Sequence, residues 1–342
     1  MSADPTPLPT PHRRRPRYTG RYPRRFDQKY KELGGDTETV AKVLASGKTP
    51  AGTHRPIMVT EVLNSLAPQA GERAVDCTLG YGGHAQALLE KLLPGGMLLG
   101  VDADPLELPK TAARLREYGF SEDELIIKRA NFAGLTRILA EIGWQDGADV
   151  VFADLGVSSM QLDNPERGFG FKHEGPLDLR LNPKHGFPAS TWLEKATPFI
   201  VRKALVEGAD EPYAEELCQE LAGKTFNTTW ELSRAVRAII PSDEAEQTLR
   251  RVFQALRIVV NDEFSALESL LRELPDCLRS GGRVAVLSFH SGEDRRVKKS
   301  FAHGLETGVY SEIALEVIRS ANEEVWNNPR SASAKLRWAR KA

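Results

Sequence analysis

A strand, a glycine-rich turn, a helix and a second strand that ends in an acid follow one another between residues 73 and 102. RAVDC at 73–77 is typical of a short strand. DCTLGYGGH at 76–84 continues it into a turn whose glycines allow tight bending and close approach to a ligand. Asp102 ends the second strand. The helix between them is indicated by apolar residues at the spacing of one helix face: Ala85, Leu88, Leu89 and Leu92. This order predicts a parallel α/β sheet with a ligand site at the carboxyl ends of its strands.

The spacing of the glycines and the acid narrows the choice of ligand. Asp102 lies 19 residues after Gly83, about the distance at which an acid in a doubly wound sheet binds ribose hydroxyls. Gly80, Gly82 and Gly83 are followed by His84 and match the dinucleotide fingerprint poorly. The G-K-[ST] of a phosphate-binding loop is also missing. S-adenosylmethionine, a nucleoside cofactor without a pyrophosphate, therefore fits better than NAD or ATP.

The pattern changes after the fourth predicted strand, which ends near residue 155. Residues 160–182 are rich in Gly, Pro and charge, as functional loops often are. A helical stretch follows, and an apolar strand at 283–289 then resumes the α/β pattern. We therefore predict a Rossmann-like doubly wound fold whose sheet domain is discontinuous. Its parts are 51–162 and 249–342, and the helical insertion is 163–248.

The first 50 residues differ in composition from the rest of the chain. Residues 1–31 carry a net charge of +7 within a 342-residue protein whose net charge is −1. Their arginines alternate with Tyr18, Tyr22 and Phe26, and such residues can pair with phosphates and stack on bases. Frequent prolines disfavour a folded element. We predict an unfolded tail that contacts RNA. A solvated tail without a specific partner and a transit peptide are the alternatives.

Composition excludes several other classes of protein. Hydrophobic residues make up 41% and charged residues 27%, close to the averages of soluble globular proteins. The sequence has no run near the roughly 18 apolar residues of a membrane helix and no secretory signal. Cys77, Cys218 and Cys277 are too scattered for a disulfide framework or a zinc site. We expect a cytoplasmic protein without a metal ion.

Long motifs follow in a fixed order through most of the chain. They are HRPI at 54–57, DLGVSS at 154–159, QLD at 161–163, ERGF at 166–169, GPLDLR at 175–180, FQALRI at 253–258, SFHS at 288–291, EDR at 293–295, NPRS at 328–331 and SAKLR at 333–337. In this order they resemble the bacterial 16S ribosomal RNA (cytosine-N4)-methyltransferases, the RsmH or MraW family. The resemblance extends from about residue 54 to residue 338.

The resemblance implies a class I S-adenosylmethionine-dependent methyltransferase with an inserted helical domain for substrate recognition. It implies methylation of the exocyclic N4 of a cytidine in the decoding region of 16S rRNA, with the small ribosomal subunit as partner. A monomer and a homodimer both stay open. Asp102-Ala103-Asp104-Pro105 stands where the family usually has Asp-Arg-Asp-Pro. The residues that match the family's cofactor contacts are Gly82, Gly83, His84, Asp102, Phe132, Asp154 and Gln161.

Four further residues are candidates for contact with the target base. A hydrogen-bond acceptor at the amine would stabilise the positive charge that develops during methyl transfer. Asp154, at a predicted strand end, is the main candidate, although it could serve only to orient the cofactor. Ser158 and Asp178 could hold a flipped base or only stabilise turns. His290 follows a strand and could face the site or pack structurally.

Four arginines are candidates for contact with RNA phosphates, with internal ion pairs as the alternative. They are Arg167, Arg180, Arg257 and Arg295. Two competing functions also stay open at this point: a methyltransferase on another acceptor, and a methyltransferase-like RNA-binding assembly factor. The intact cofactor loop argues against the second, because a protein that binds only RNA does not need it.

Overall fold

A computed structural model describes residues 56–342, except for the side chains of residues 159 and 160. The predicted basic tail, 1–50, lies outside the described residues, and so does His54 of the first motif. Within the described part, the strands are β1 (Arg73–Asp76), β2 (Met97–Asp102), β3 (Leu125–Arg129), β4 (Ala148–Asp154), β5 (Leu278–Ser288), β6 (Tyr310–Ile313) and β7 (Lys335–Lys341).

These strands form one seven-stranded sheet in the order β3-β2-β1-β4-β5-β7-β6. β1 to β5 run parallel, and β7 pairs antiparallel with both β5 and β6. The strand order reverses between β1 and β4, which is where open α/β sheets bind ligands. The predicted doubly wound α/β fold is confirmed.

Helices cover the sheet and fill the connections. In the described part they are α1 (Val59–Leu66), α2 (Gly83–Leu92), α3 (Leu108–Glu117), α4 (Leu135–Glu141), α5 (Ser159–Asp163), α6 (Ala189–Lys195), α7 (Pro198–Ala209), α8 (Ala214–Leu221), α9 (Thr229–Ile239), α10 (Ala245–Asn261), α11 (Glu263–Cys277), α12 (Ser291–Glu306) and α13 (Asn322–Asn327). Short 3₁₀ turns span Phe132–Gly134, Pro165–Arg167 and Pro329–Ser333.

Two apolar clusters lie on the two faces of the sheet, because successive strand residues point to opposite sides. Leu98 and Phe152 pack with α1, α2 and α3. Leu99 and Val151 pack with α4, α11 and α12. Burial on both faces accounts for the continuous apolar runs of β2 and β4.

The helices between β4 and β5 form a third apolar cluster of their own, built from α6 to α10. Leu249, Val252 and Leu256 of α10 belong to it. This cluster therefore continues past the predicted boundary at residue 248, because α10 is one uninterrupted helix. Asp262, which has a φ of 52°, separates α10 from α11.

The fifth strand begins earlier than the sequence pattern indicates. A helix end and a glycine pair predict a strand from residue 283, whereas β5 begins at Leu278, which pairs with Ala148. A register shift in β4 between Ala148 and Val150 accommodates the extra residues. Gly282 is needed there, because a Cβ at this position would lie 2.8 Å from the carbonyl oxygen of Arg279.

No helix within residues 56–342 combines the length and the apolar character needed to span a bilayer. In the same part of the chain, no group of three His, Cys, Asp or Glu side chains is placed to hold a metal ion. Cys77, Cys218 and Cys277 are all buried and reduced.

Candidate active site

Acidic side chains end three neighbouring strands at the carboxyl edge of the sheet. β2 ends at Asp102, β1 at Asp76 and β4 at Asp154, and these strands are adjacent in the order β2-β1-β4. The three carboxyl groups influence one another: Asp102 raises the pKa of Asp76, and Asp76 raises the pKa of Asp154. This edge is therefore strongly electronegative when all three groups are ionised, and it favours a cationic ligand over a phosphate.

The turn after β1 requires its glycines for two reasons. Gly80 and Gly82 have φ angles of 48° and 84°, in the left-handed region that favours glycine. Gly83 begins α2, and a Cβ there would lie 2.8 Å from the ring of Pro56. The hydroxyl of Thr111 donates a hydrogen bond to the carbonyl oxygen of Gly80 at 2.5 Å. The turn is thus fixed in position against α3.

The carboxylate of Asp102 fastens this turn to β2. Its Oδ2 accepts a hydrogen bond from the backbone N–H of Gly80 at 2.7 Å, and its Oδ1 accepts one from Asp104 at 2.8 Å. Burial raises the pKa of Asp102, although these hydrogen bonds oppose the shift. Each carboxylate oxygen can accept a second hydrogen bond, so the group can still receive ribose hydroxyls as predicted.

Two carboxyl groups at this edge are poorly solvated. Burial raises the pKa of Asp76 to about 7, and hydrogen bonds from Thr78 only partly offset it. Burial, Asp76 and Glu293 raise the pKa of Asp154 well above its ordinary value. Oδ2 of Asp76 and Oδ1 of Asp154 are shielded from solvent and have no hydrogen-bond partner among the described residues. Both oxygens would gain from a nearby positive charge.

His84 lies between the glycine turn and Asp154. Its Nε2 is 2.9 Å from the carbonyl oxygen of Ile57, and a carbonyl can only accept, so Nε2 carries the proton. Nδ1 faces Oδ2 of Asp154 at 3.5 Å. Nδ1 therefore carries no proton of its own, and its contact with Oδ2 becomes attractive when a proton lies between them. The ring also packs against Phe152, with the ring centroids 4.6 Å apart.

Gln161 is brought to the same edge from α5. Its Oε1 accepts a hydrogen bond from the backbone N–H of Ser158 at 2.8 Å. The backbone N–H of Gln161 donates in turn to Ser158 Oγ at 3.2 Å. The side-chain Nε2 donates to Asp104 Oδ2 at 2.7 Å. Phe132 begins the 3₁₀ turn after β3 and packs against the sheet core while partly exposed. The predicted cofactor residues thus come from loops that follow β1, β2, β3 and β4.

His290 follows β5 on the side of Asp154 opposite the glycine turn. Its side chain is 9% exposed, and its Nε2 lies 3.1 Å from Oε1 of Glu293. Glu293 also accepts a hydrogen bond from the backbone N–H of Phe289 at 3.0 Å. A Cβ at Gly156, two residues after Asp154, would lie 3.8 Å from Phe289. His290 therefore belongs to a buried charged cluster that borders the site.

The predicted base-holding and phosphate-binding groups are mostly engaged in internal contacts. Asp178 receives two hydrogen bonds from the guanidinium of Arg180, both at 2.7 Å. Arg257 forms a two-pronged ion pair with Glu263 at 2.9 Å. These partners favour internal ion pairs, the alternative reading, for Arg180 and Arg257.

Arg167 and Arg295 differ in their exposure. The side chain of Arg167 is 8% exposed and pairs with Asp104, which favours an internal ion pair, the alternative interpretation, for Arg167 as well. Arg295 is 52% exposed and pairs with Asp210 at 3.0 Å. It stays a candidate for RNA contact. Through Asp210, which also accepts from Ser291, it links the end of α7 to the start of α12.

Sequence reasoning assigned no role to three residues that the structure places at this edge, namely Asp76, Asp104 and Glu293. Asp76 stands in the glycine motif, and Asp104 precedes a proline at a predicted helix start, so both lay inside segments already singled out. Their burial and partners depend on long-range packing, which local patterns do not contain.

The residues present fit S-adenosylmethionine. The glycine turn follows β1 at the carboxyl edge of the sheet, Asp102 can receive a ribose there, and the unpartnered carboxylate oxygens of Asp76 and Asp154 suit the positive charge of the cofactor. The sheet order, with β7 antiparallel between β5 and β6, is the order found in class I methyltransferases. The protein is a class I S-adenosylmethionine-dependent methyltransferase.

Comparison with known proteins gives the family. Residues 51–342 match the model of the MraW methylase family. The chain is 47% identical to ribosomal RNA small subunit methyltransferase H 2 of Alkaliphilus metalliredigens, over 96% of this chain and 97% of that protein. It is 45% identical to ribosomal RNA small subunit methyltransferase H 1 of Agathobacter rectalis, over 97% and 98%. Among solved structures, TrmN from Thermus thermophilus aligns with 83% of this chain and 48% of that chain at 13% identity, with a TM-score of 0.40. The chain belongs to the MraW methylase family, as its motifs predicted.

Proposed function

We propose that this protein methylates the exocyclic N4 of a cytidine in the decoding region of 16S rRNA, on the small ribosomal subunit in the cytoplasm. The names of the relatives, which align over nearly the whole of both chains, support a small-subunit rRNA acceptor. The structural observation that carries the chemistry is the poorly solvated carboxyl group of Asp154, which stands between the cofactor turn and the cluster around His290.

S-adenosylmethionine, when bound, supplies a methyl group activated by a sulfonium. The cytosine amine is a weak nucleophile, because its lone pair is delocalised into the ring. A carboxylate that accepts a hydrogen bond from the amine localises this lone pair and stabilises the positive charge that develops on nitrogen. Asp154 can take this role through Oδ2, since its Oδ1 is shielded and its side chain is 21% exposed.

The methylated amine must then lose a proton. A carboxylate with a raised pKa holds a proton more firmly than an exposed one, so Asp154 is suited to accept it. His84 can share that proton through Nδ1, which faces Oδ2 of Asp154. We assign Asp154 as the proton acceptor and His84 as the residue that orients its carboxyl group.

We assign the helical segment to recognition of the RNA. α7 meets the start of α12 through Asp210, and this start of α12 directly follows His290 and contains Glu293. Arg295, exposed at this junction, is the arginine best placed to meet a phosphate. The proposed division of the chain is a sheet domain of 51–162 and 249–342 around an inserted helical domain of 163–248, and α10 crosses the boundary at 248 with its buried residues in the apolar cluster of the helical segment.

Methyl transfer from labelled S-adenosylmethionine tests the function directly. The acceptors are purified small ribosomal subunits and naked small-subunit RNA, with mass mapping of the modified nucleoside. We expect N4-methylated cytidine at a single position. Asp154→Asn should lower the rate by about 10²–10³-fold. Asp146→Asn, an exposed acid that pairs with Arg279 before β4, should keep the wild-type rate.

Other outcomes would contradict the proposal. A different modified nucleoside would show another acceptor. Cofactor binding without transfer to either RNA substrate would favour the assembly-factor alternative. An unchanged rate for Asp154→Asn would remove Asp154 from the reaction.

A further inference from the structure

Asp104 is a buried carboxylate that joins three segments of the chain. Its side chain is 1% exposed. Oδ1 accepts a hydrogen bond from the backbone N–H of Leu106 at 2.9 Å and so holds the turn before α3. Oδ2 accepts one from Gln161 Nε2 at 2.7 Å and one from Arg167 Nη1 at 2.9 Å. A buried carboxylate with this set of donors has its hydrogen-bonding needs met only while all of them stay in place.

Arg167 extends this link to the following loop. Its Nη2 donates to the carbonyl oxygens of Arg180 and Leu181 at 3.2 and 3.0 Å. In return, its own carbonyl oxygen accepts from the backbone N–H of Leu179 at 3.2 Å. One guanidinium therefore bridges Asp104 to the chain at residues 179–181, which is the segment that carries the GPLDLR motif.

The backbone of Asp104 reaches the cofactor side of the site. The backbone N–H of Asp104 donates to Oδ1 of Asp102, whose Oδ2 holds Gly80 of the glycine turn. Both polar atoms of the Gln161 amide are used, one by Asp104 and one by Ser158. Asp104 and Ser158 together thus set the position and the orientation of Gln161.

We propose that Asp104 and Arg167 are positioning residues that hold Gln161 and the 158–181 segment against the methyl-donor site. Loss of the pair weakens binding of the donor although neither side chain is assigned to contact it. The inference depends on one part of the proposed function, namely that S-adenosylmethionine binds at this site with Gln161 beside it. It does not depend on which RNA is the acceptor.

Arg167→Lys is the informative change. Lysine keeps the positive charge but lacks the planar fork of donors, so it cannot bind Asp104 and two carbonyl oxygens together. Asp104 keeps a charged partner in this variant, while the loop at 179–181 loses its connection to the cofactor side.

The chain offers a closely matched control at the opposite edge of the sheet. The side chain of Arg283 is 11% exposed and binds the carboxylate of Glu72 at 2.8 and 2.9 Å. It also donates to the carbonyl oxygens of Leu66 and Ala67 at 2.8 and 2.9 Å. Arg283 thus has the same kinds of partner as Arg167, but it lies in the middle of β5, five residues before the end of the strand at Ser288, and pairs with Val150 near the start of β4. Arg283→Lys therefore reports the general effect of losing such a bridge.

The experiment compares both variants of the full chain in thermal unfolding, in calorimetric binding of S-adenosylmethionine without RNA, and in steady-state kinetics. We expect similar losses of Tm. Arg167→Lys should raise the Kd and the KM for S-adenosylmethionine about tenfold, and kcat at saturating donor should stay within about threefold of wild type. Arg283→Lys should leave the Kd within about twofold. Equal Kd values for the two variants would overturn the proposal.

A second variant covers the case in which Arg167→Lys does not fold. Asp104→Asn preserves size, and its Oδ1 can still accept from Leu106, but its Nδ2 then faces Gln161 Nε2 and Arg167 Nη1, so both of those hydrogen bonds lose their acceptor. We expect a Kd several-fold above wild type, and a smaller effect of Arg167→Lys in the Asp104→Asn background than in the wild type. Independent, multiplicative effects on Kd would contradict the coupling. The Kd measurements need no RNA. They can therefore contradict the positioning role while the RNA acceptor is as proposed, and they can support that role if the RNA acceptor is a different one.

Discussion

Replacing Asp76 by Asn should stabilise the cofactor-free protein at neutral and alkaline pH. Asp76 is 1% exposed, and burial raises its pKa from 3.8 to about 7. In the unfolded chain the group titrates near 3.8, so the folded state binds this proton more tightly. Stability is therefore lost as pH rises from about 4 to about 7 and is constant above that range. Asparagine cannot ionise and avoids this loss.

The size of the effect follows from the same pKa values. At about 1.4 kcal/mol per pKa unit, the ionised Asp76 costs the folded state about 4 kcal/mol. An asparagine can still accept the hydrogen bond that Thr78 N–H gives to Oδ1 at 3.0 Å. Its Nδ2 would replace Oδ2, which has no partner among the described residues, and an unsatisfied buried donor costs about 1–3 kcal/mol. The net gain at pH 8 is then about 1–3 kcal/mol.

Urea unfolding of wild type and Asp76→Asn at pH 5 and pH 8, without cofactor, measures this gain. The free energy of unfolding of the variant, relative to wild type, should rise by about 3 kcal/mol from pH 5 to pH 8. The cost of the new amide does not change with pH and so does not affect this difference. Asp146→Asn is the control: salt links to Arg279 and Arg73 lower the pKa of this exposed acid, so it stays ionised over this range. Parallel stability curves for wild type and Asp76→Asn would refute the buried, raised-pKa assignment.

Three further predictions concern the turn, the proton acceptor and the tail. Gly83→Ala should lose about 1–3 kcal/mol of stability, because its Cβ would lie 2.8 Å from Pro56, whereas Gly134→Ala, with open space around it, should lose far less in the same thermal unfolding assay. Binding of S-adenosylmethionine should strengthen with pH and release protons, because a cation favours the ionised form of Asp154. Calorimetry in buffers of different ionisation enthalpy should show this, and Asp154→Asn should bind with less pH dependence. An equal slope in both proteins would exclude Asp154 as the linked group. Deleting residues 1–50 should weaken RNA binding most at low salt, and equal binding across a salt series would leave the tail without a role.

Local patterns in the sequence were sufficient for the elements that build the site. β1, β2 and β4 end within one residue of their predicted ends, because each is a short apolar run bounded by turn residues. The glycine turn and the acid at the end of β2 were recognisable because their spacing along the chain is itself the requirement for nucleoside binding. The long ordered motifs then indicated the family, which the comparisons confirm. Fold class, cofactor and family were thus determined by the sequence alone.

Tertiary structure alone decided which charged groups are paired and which are poorly solvated. Arg167 finds Asp104 across 63 positions of sequence, and Arg295 finds Asp210 across 85. Nothing local distinguishes a buried arginine from one that meets a phosphate. The raised pKa values of Asp76 and Asp154 likewise arise because the sheet places three strand ends side by side and the helices exclude water from them. Ionisation and pairing depend on the distance between groups in space and on their burial, and the sequence contains neither until the chain has folded.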